Sequence, residues 1–325
     1  VVKRVAIVGC GRAGGKRARA LGDSRLVAAA DAEPERARRL AGEWPGCEAE
    51  TDWRAAVTRT DVEVVIVATT NDGLAPVARA AAEAGKHVLV EKPGARSPEE
   101  LAPVAAAARE RGVIVRVGFN HRFHPALRQA RALVQDGELG PLMLLRGRYG
   151  HGGRPGYERE WRARPEVAGG GELLDQGVHL IDLARWFAGD MALVAGHVGT
   201  FFWDAPVEDN GFLLLRGGDG QVAWLHASWT EWKNLFSFEV FGRKGKLQVD
   251  GLGGSYGLER LTHYRMRPEM GPPETRDWEY PGQDSSWADE YAAFVEATLG
   301  RATPNATLDD ASAALAIVRQ AYGRA

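Results

Sequence analysis

The sequence predicts an α/β protein: an N-terminal doubly wound parallel sheet, then a second α/β domain built around an antiparallel sheet. Three observations carry this. Strand and helix patterns alternate over the first 120 residues. A glycine-rich turn, Gly9-Cys10-Gly11-Arg12-Ala13-Gly14, follows the first strand directly. Beyond residue 120 strand-like runs succeed one another without intervening helices.

In the first half, residues 3–8 read as a buried strand with Val5-Ala6-Ile7-Val8 at its centre. A helix-like run follows the glycines, and the next apolar strand, 26–30, ends on Asp31. Residues 62–68 are almost continuously apolar, as a parallel sheet covered on both faces requires. Residues 74–84 read as a helix stopped by Gly85. Strand 87–90 leads into Glu91-Lys92-Pro93, helix 98–111 ends at Gly112, and strand 113–117 leads into Gly118-Phe119-Asn120. Six strands with covering helices are expected in this domain, residues 1–120. The second domain, 121–325, opens with a helix at 124–134 and a strand at 142–149. A Gly/Arg-rich loop at 150–171 and a helix at 172–187 follow. Strands are then expected at 194–203, 209–216, 221–231, 236–241 and 246–249. Helices at 287–299 and 308–322 close the chain, and one of them is a candidate to pack back on the first domain.

Strand, G-x-G-x-x-G, helix, strand and acid, in that order, form the fingerprint of dinucleotide binding. Gly9 allows the tight turn, Gly11 lets backbone approach a pyrophosphate, and Gly14 lets helix and strand pack closely. Arg12 and Ala13 open the helix whose N–H groups face the phosphates. Asp31 can accept hydrogen bonds from both ribose hydroxyls and would repel a 2′-phosphate, while Ala32 supplies no compensating cation. NAD is therefore favoured over NADP. Asp31 can also cap the helix after Glu33-Pro34. Thr69, Thr70 and Asn71 follow the fourth strand and are candidates to touch ribose or nicotinamide, Asn71 equally a helix cap.

Net charge is −2 over 325 residues, with both signs interspersed. Nothing suggests a nucleic-acid groove, and no apolar run approaches the length of a membrane span. Residues 1–8 are too short for a signal peptide and are needed as a strand. Cys10 and Cys47 alone argue against a disulfide framework. A cytoplasmic protein is expected.

Two constellations suit chemistry. Lys92, at the C-terminal end of a strand, points into the ligand crevice of a doubly wound sheet. A cation there can orient a hydroxyl and stabilise charge developing on its oxygen. Pro93 restricts it to an extended backbone, and Glu91 can meet ribose, Lys92 or local backbone. Asp175 and His179, four apart on the expected helix, share one face. Histidine suits the transfer of an alcohol proton near neutral pH; the alternative is a capping aspartate beside a core histidine. Asp182 extends the stripe. A metal held by Asp175, His179 and His87, with His121 or His124, is disfavoured because no third or fourth ligand clusters with the pair.

The glycine turn, "AGKHVLVEKP", "GFNHRFHPAL" and "GGGELLDQGVHLIDLARWF" occur in an order that resembles the glucose–fructose oxidoreductase and inositol dehydrogenase (Gfo/Idh/MocA) family over nearly the whole chain. The resemblance implies a Rossmann domain and an α/β domain with a large, open, mostly antiparallel sheet that commonly forms oligomer contacts, so a homodimer or homotetramer. It implies a nicotinamide-dependent oxidoreductase acting on a sugar, nucleotide-sugar, amino-sugar or cyclitol hydroxyl. By motif, Lys92 contacts substrate and cofactor, His179 is the acid/base and Asp175 the substrate anchor. Asn120 and Arg122 border the pocket, Arg122 binding substrate or forming an interdomain ion pair. The family's A-T-P-N-x-x-H segment is here Ala68-Thr69-Thr70-Asn71-Asp72-Gly73-Leu74, which removes a proline and a histidine. Two other readings of the fold stay open: an NAD-binding regulatory protein without turnover, and an NADP enzyme recycling a tightly bound cofactor.

Substrate choice is expected in the loop with Arg148, Tyr149, His151, Arg154, Tyr157, Arg159, Trp161 and Arg162. Such a loop can clamp a phosphate or carboxylate and stack on a sugar, with Tyr149, Trp161 and Arg162 as substrate contacts. Glu158, Glu160 and Glu166 can instead receive an amino sugar, and a solvated interdomain or subunit-contact loop is an equal alternative. Phe201, Phe202, Trp203, Trp224, Trp229 and Trp232 are expected in the sheet core and an oligomer face.

Overall fold

The computed structural model describes residues 2–303 and 305–323. The chain forms two compact units. The first comprises the residues up to Phe119 with Glu166–Gly169 and Trp287–Leu315. Its strands are β1 (Arg4–Val8), β2 (Arg25–Ala30), β3 (Glu48–Glu50), β4 (Val64–Val67), β5 (His87–Glu91) and β6 (Val115–Gly118). All pair in parallel, in the order β3-β2-β1-β4-β5-β6. That is the order of a dinucleotide-binding sheet, which reverses direction between β1 and β4. β4 is entirely buried, consistent with its unbroken Val-Val-Ile-Val. The sixth strand, β3, is a three-residue Glu-Ala-Glu edge with no hydrophobic pattern to announce it. Gly85 and Gly112 end their helices at φ +75° and +63°, where a side chain would be strained. Tyr291, Phe294 and Val295, from the helix Ser286–Thr298, join Val5, Ile7, Leu26 and Val64 in one core.

The second unit comprises Asn120–Pro165, Gly170–Ser286 and the residues from Ala316. Eight strands make one sheet: β7 (Leu142–Gly150), β8 (Met191–Gly199), β9 (Asn210–Gly217), β10 (Val222–Ser228), β11 (Leu235–Gly242), β12 (Gly245–Asp250), β13 (Glu259–Arg265) and β14 (Glu274–Tyr280). Their order is β14-β13-β12-β11-β7-β10-β9-β8, antiparallel throughout except for the parallel pair β7–β10. The helix Val178–Ala188 covers one face. A Cβ on Gly147 of β7 would stand 3.0 Å from Leu180 and 3.1 Å from Phe238, so glycine lets this helix sit close to the sheet.

Three expectations are corrected. The strand expected at 194–203 runs instead from Met191 to Gly199, because the Asp209 carboxylate accepts the N–H groups of Phe201, Phe202 and Trp203 and turns the chain. Of the aromatic residues expected in the sheet core and an oligomer face, Trp229 is fully buried and Phe201, Phe202, Trp224 and Trp232 are exposed. β13 and β14 were not anticipated; β14 is a polar, mostly exposed edge strand. The helix expected at 172–187 begins as a π-helical turn, Leu173–Gly177, before continuing as α-helix.

Candidate active site

In the first unit the glycine turn is held by contact and by charge. Gly9 has φ +96°, and a Cβ on it would stand 2.4 Å from the Ala68 carbonyl. A Cβ on Gly14 would stand 1.9 Å from the Gly9 carbonyl oxygen. Around Gly11 no protein atom lies within 4 Å of the Cβ position. Two glycines therefore allow the fold, and the third leaves backbone approachable to a bulky ligand. Arg12 and Ala13 begin the helix Arg12–Arg19, which carries no side-chain cap on its amides. Asp31, just beyond β2, accepts the Cys10 N–H at 2.7 Å and the Glu33 N–H at 2.9 Å. One carboxylate thus fixes the turn and the bend at Glu33, the cap position of the next helix, which has no side-chain cap of its own. These residues fit a dinucleotide: open backbone, free helix amides and an acid at the end of the second strand. Burial, with Asp31 nearby, pushes the Cys10 thiol up to about 12, so it stays protonated and unreactive.

Around the second constellation of this unit the partners are partly different from those expected. Lys92 follows β5, is half-buried, and its bond to Pro93 is cis. Glu91 has a protein partner: its Oε1 accepts from Arg17 Nε at 2.5 Å, and both side chains are buried. A carboxylate without solvent requires such a counter-charge. Asn71 donates to the Ala168 carbonyl at 2.8 Å and is the first residue of its helix, whose cap position is Thr70. Thr70 donates to Asp72 and Thr69 to the Thr70 carbonyl.

In the second unit Asp175 lies in the π turn and His179 in the α-helix, so they are not an i,i+4 pair of one regular helix. π turns widen a helix locally and recur at functional sites. Asp175 accepts from Arg162 Nε at 3.1 Å. His179 is buried and stacks on His121, with ring centroids 3.8 Å apart. Tyr149 meets both rings edge-on, at 5.1 and 6.2 Å. Burial, with Tyr256 beside it, holds the Tyr149 phenol well above its ordinary value, so it remains an O–H group. Trp161 stacks under the Arg162 guanidinium at 4.5 Å.

Arg122 forms a two-pronged pair with Asp182, at 2.8 and 2.5 Å. Both residues belong to this unit, so the pair is not interdomain, and two guanidinium N–H groups are committed to it. Asn120 donates to Ser286 at 2.9 Å. His124 bonds Glu259, and His87, in the first unit, accepts the Ile114 N–H. Among the described residues no group of three or more His, Cys, Asp and Glu side chains could hold a metal ion. No helix among them is long and apolar enough to cross a membrane.

Sequence reasoning missed Glu208. Its buried carboxylate accepts the N–H groups of Gly171 and Leu173 and the Tyr322 hydroxyl. Its backbone carbonyl accepts the Glu172 N–H. The residue thereby fixes the entry to the π turn that carries Asp175. No local pattern announces it, because its partners lie 35 to 114 residues away.

The first unit is therefore an NAD-type Rossmann fold, and the second is a mostly antiparallel sheet whose covered face carries Asp175 and His179. Residues 3–119 match the model of an oxidoreductase family with an NAD-binding Rossmann fold, and residues 127–248 match the GFO/IDH/MocA C-terminal domain. The chain belongs to the Gfo/Idh/MocA oxidoreductase family. It is 30% identical to a D-glucoside 3-dehydrogenase of Escherichia coli over 69% of this chain and 70% of the relative. It is 35% identical to a levoglucosan dehydrogenase of Pseudarthrobacter phenanthrenivorans over 59% of this chain, a match spanning 50% of that relative's length. A solved levoglucosan dehydrogenase in complex with NADH and levoglucosan superposes with a TM-score of 0.88 at 25% identity, covering 100% of this chain and 98% of that one.

Proposed function

We propose that the chain is an NAD-dependent dehydrogenase that oxidises a ring hydroxyl of a sugar or cyclitol. The observation that carries this reading is that one chain holds both an approachable glycine turn closed by Asp31, in its first unit, and Asp175 and His179 on a π-to-α junction, in its second. The names of the relatives support the substrate class: two are dehydrogenases of a glucoside and of levoglucosan.

The glycine turn, the amides of Arg12 and Ala13, and Asp31 would hold NAD, which supplies the hydride acceptor when bound. Lys92 orients the reacting hydroxyl and stabilises charge growing on its oxygen. His179 takes the hydroxyl proton as the carbinol C–H leaves as hydride. Asp175 anchors a neighbouring hydroxyl. His121 fixes the His179 ring by stacking and Tyr149 by an edge-on contact. Asn120 and Arg122 are positioning residues in this scheme, because their side-chain donors already bond Ser286 and Asp182.

The test is absorbance at 340 nm with NAD, and separately NADP, across cyclitols, free sugars, amino sugars and nucleotide sugars. An NAD-dependent rise that drops by about 10²–10⁴-fold in His179→Ala, with NAD binding retained, is the expected result. NAD binding with no turnover across the panel would overturn the reading in favour of a non-catalytic role.

A further inference from the structure

The charged loop before the reactive helix reads, by composition, as a clamp for an anionic substrate. Its side chains are arranged otherwise. Arg154 pairs with Glu160 at 2.5 Å, and Arg159 with Glu158 at 3.1 Å. A phosphate clamp or an amino-sugar acceptor built on these four side chains would have to break a pair first. Arg148 is exposed on β7 beside the buried Tyr149, so alternation puts it on the sheet face opposite the ring that meets His179. Of the loop's arginines, Arg162 is brought to the π turn, and its charge is met by Asp175.

That pair remains accessible, with the Arg162 side chain 35% exposed and Asp175 16%. It presents N–H donors beside carboxylate acceptors and no net charge. A hydroxyl is both donor and acceptor, so two neighbouring hydroxyls complement such a pair. A carboxylate or phosphate would be drawn by Arg162 and repelled by Asp175, and an ammonium the reverse. Trp161 and the cluster of Tyr157, Ala163, Val207 and Trp229 fix the backbone on either side of Arg162.

We infer that the substrate is an uncharged polyol with neighbouring hydroxyls, and that Arg162, through its pair with Asp175, is the residue that determines this. The inference rests on the dehydrogenase reading above and narrows it. The test uses the full chain loaded with NADH and calorimetric titration with two matched sets. One set is glucose, glucuronate and glucosamine; the other is myo-inositol, its 1-phosphate and its amino-deoxy analogue, all below neutral pH. The neutral member of at least one set should bind about tenfold tighter than both charged ones, the scale expected of like-charge repulsion at a partly buried pair. Asp175→Asn should raise binding of the anion relative to the neutral member by about tenfold, and Arg162→Gln should do the same for the cation. A loop with a merely structural role would move all three ligands together. Tighter binding of a charged member by the unaltered protein, ratios unmoved by both substitutions, or no binding of any member overturns the inference. Failure of the dehydrogenase reading is separate: it shows as binding without turnover at 340 nm.

Discussion

Arg17 and Glu91 form a buried ion pair, Nε to Oε1 at 2.5 Å, that ties the glycine-turn helix to the residue preceding Lys92. The same guanidinium reaches Glu290 through Nη1 at 2.5 Å, and the Trp287 ring lies 4.4 Å from its carbon. Burial holds the Glu290 carboxyl above its ordinary range, so the two acids need not both ionise around one cation.

Arg17→Met leaves two buried carboxyl groups without their cation. It should destabilise the protein by about 3–5 kcal/mol, because the cost is an uncompensated buried charge rather than a lost surface pair. Urea denaturation measures this. A loss below about 1 kcal/mol, the scale of an exposed pair, would show that the triad contributes little.

Gly11 and Gly14 should respond differently to alanine. Gly14→Ala drives a Cβ to 1.9 Å from the Gly9 oxygen and should lower the melting temperature sharply. Gly11→Ala meets no protein atom within 4 Å and has φ −74°, so the fold should survive. Its added methyl should still weaken NAD binding, by about tenfold or more, through the pyrophosphate contact. Thermal melts and NADH fluorescence titration separate the two; normal NADH affinity in Gly11→Ala would remove this glycine from the phosphate site.

Asp31→Ala removes the acid that disfavours a 2′-phosphate and also frees the Cys10 N–H. NAD affinity should fall by about tenfold while NADP affinity rises, narrowing the ratio from both sides. Fluorescence titrations with both reduced cofactors check it, and an unchanged ratio would place cofactor choice elsewhere.

Glu208 gives a pH signature. Burial raises its carboxyl above 4.5, against the pull of its hydrogen bonds from Tyr322, Leu173 and Gly171. A raised folded value means the native state holds the proton longer than the unfolded chain. The stability this contributes is full below 4.5 and is lost as pH rises through the raised value. Glu208→Gln cannot ionise, so its melting temperature relative to the unaltered protein should climb as pH rises from 4.5 toward neutrality. A difference that stays flat over that window would mean Glu208 ionises alike in both states.

Much of the fold and some of the site is legible in residues that act locally. The unbroken Val64–Val67 announces a buried parallel strand, and the spacing from Gly9 to Asp31 announces the dinucleotide turn, because backbone sterics operate within a few residues. Lys92, Asp175 and His179 are readable as candidates by motif. What they touch is not: Glu91 reads as a partner for ribose, Lys92 or local backbone, and its bond to Arg17 is seen only in the structure. The charged loop reads equally as an anion clamp or a solvated loop, and that Arg154, Arg159 and Arg162 each pair with an acid is seen only in the structure.

The sequence by itself determined the two-part α/β organisation, the glycine turn and the acid that closes it, since these follow from periodicity and local backbone geometry. Only the tertiary structure decided the π turn under Asp175, the Glu208 anchor, the His121–His179 stack and the neutralisation of Arg162. Ion pairs, stacking and buried hydrogen bonds depend on which distant residues the packed chain brings within a few ångströms, and no local pattern encodes that.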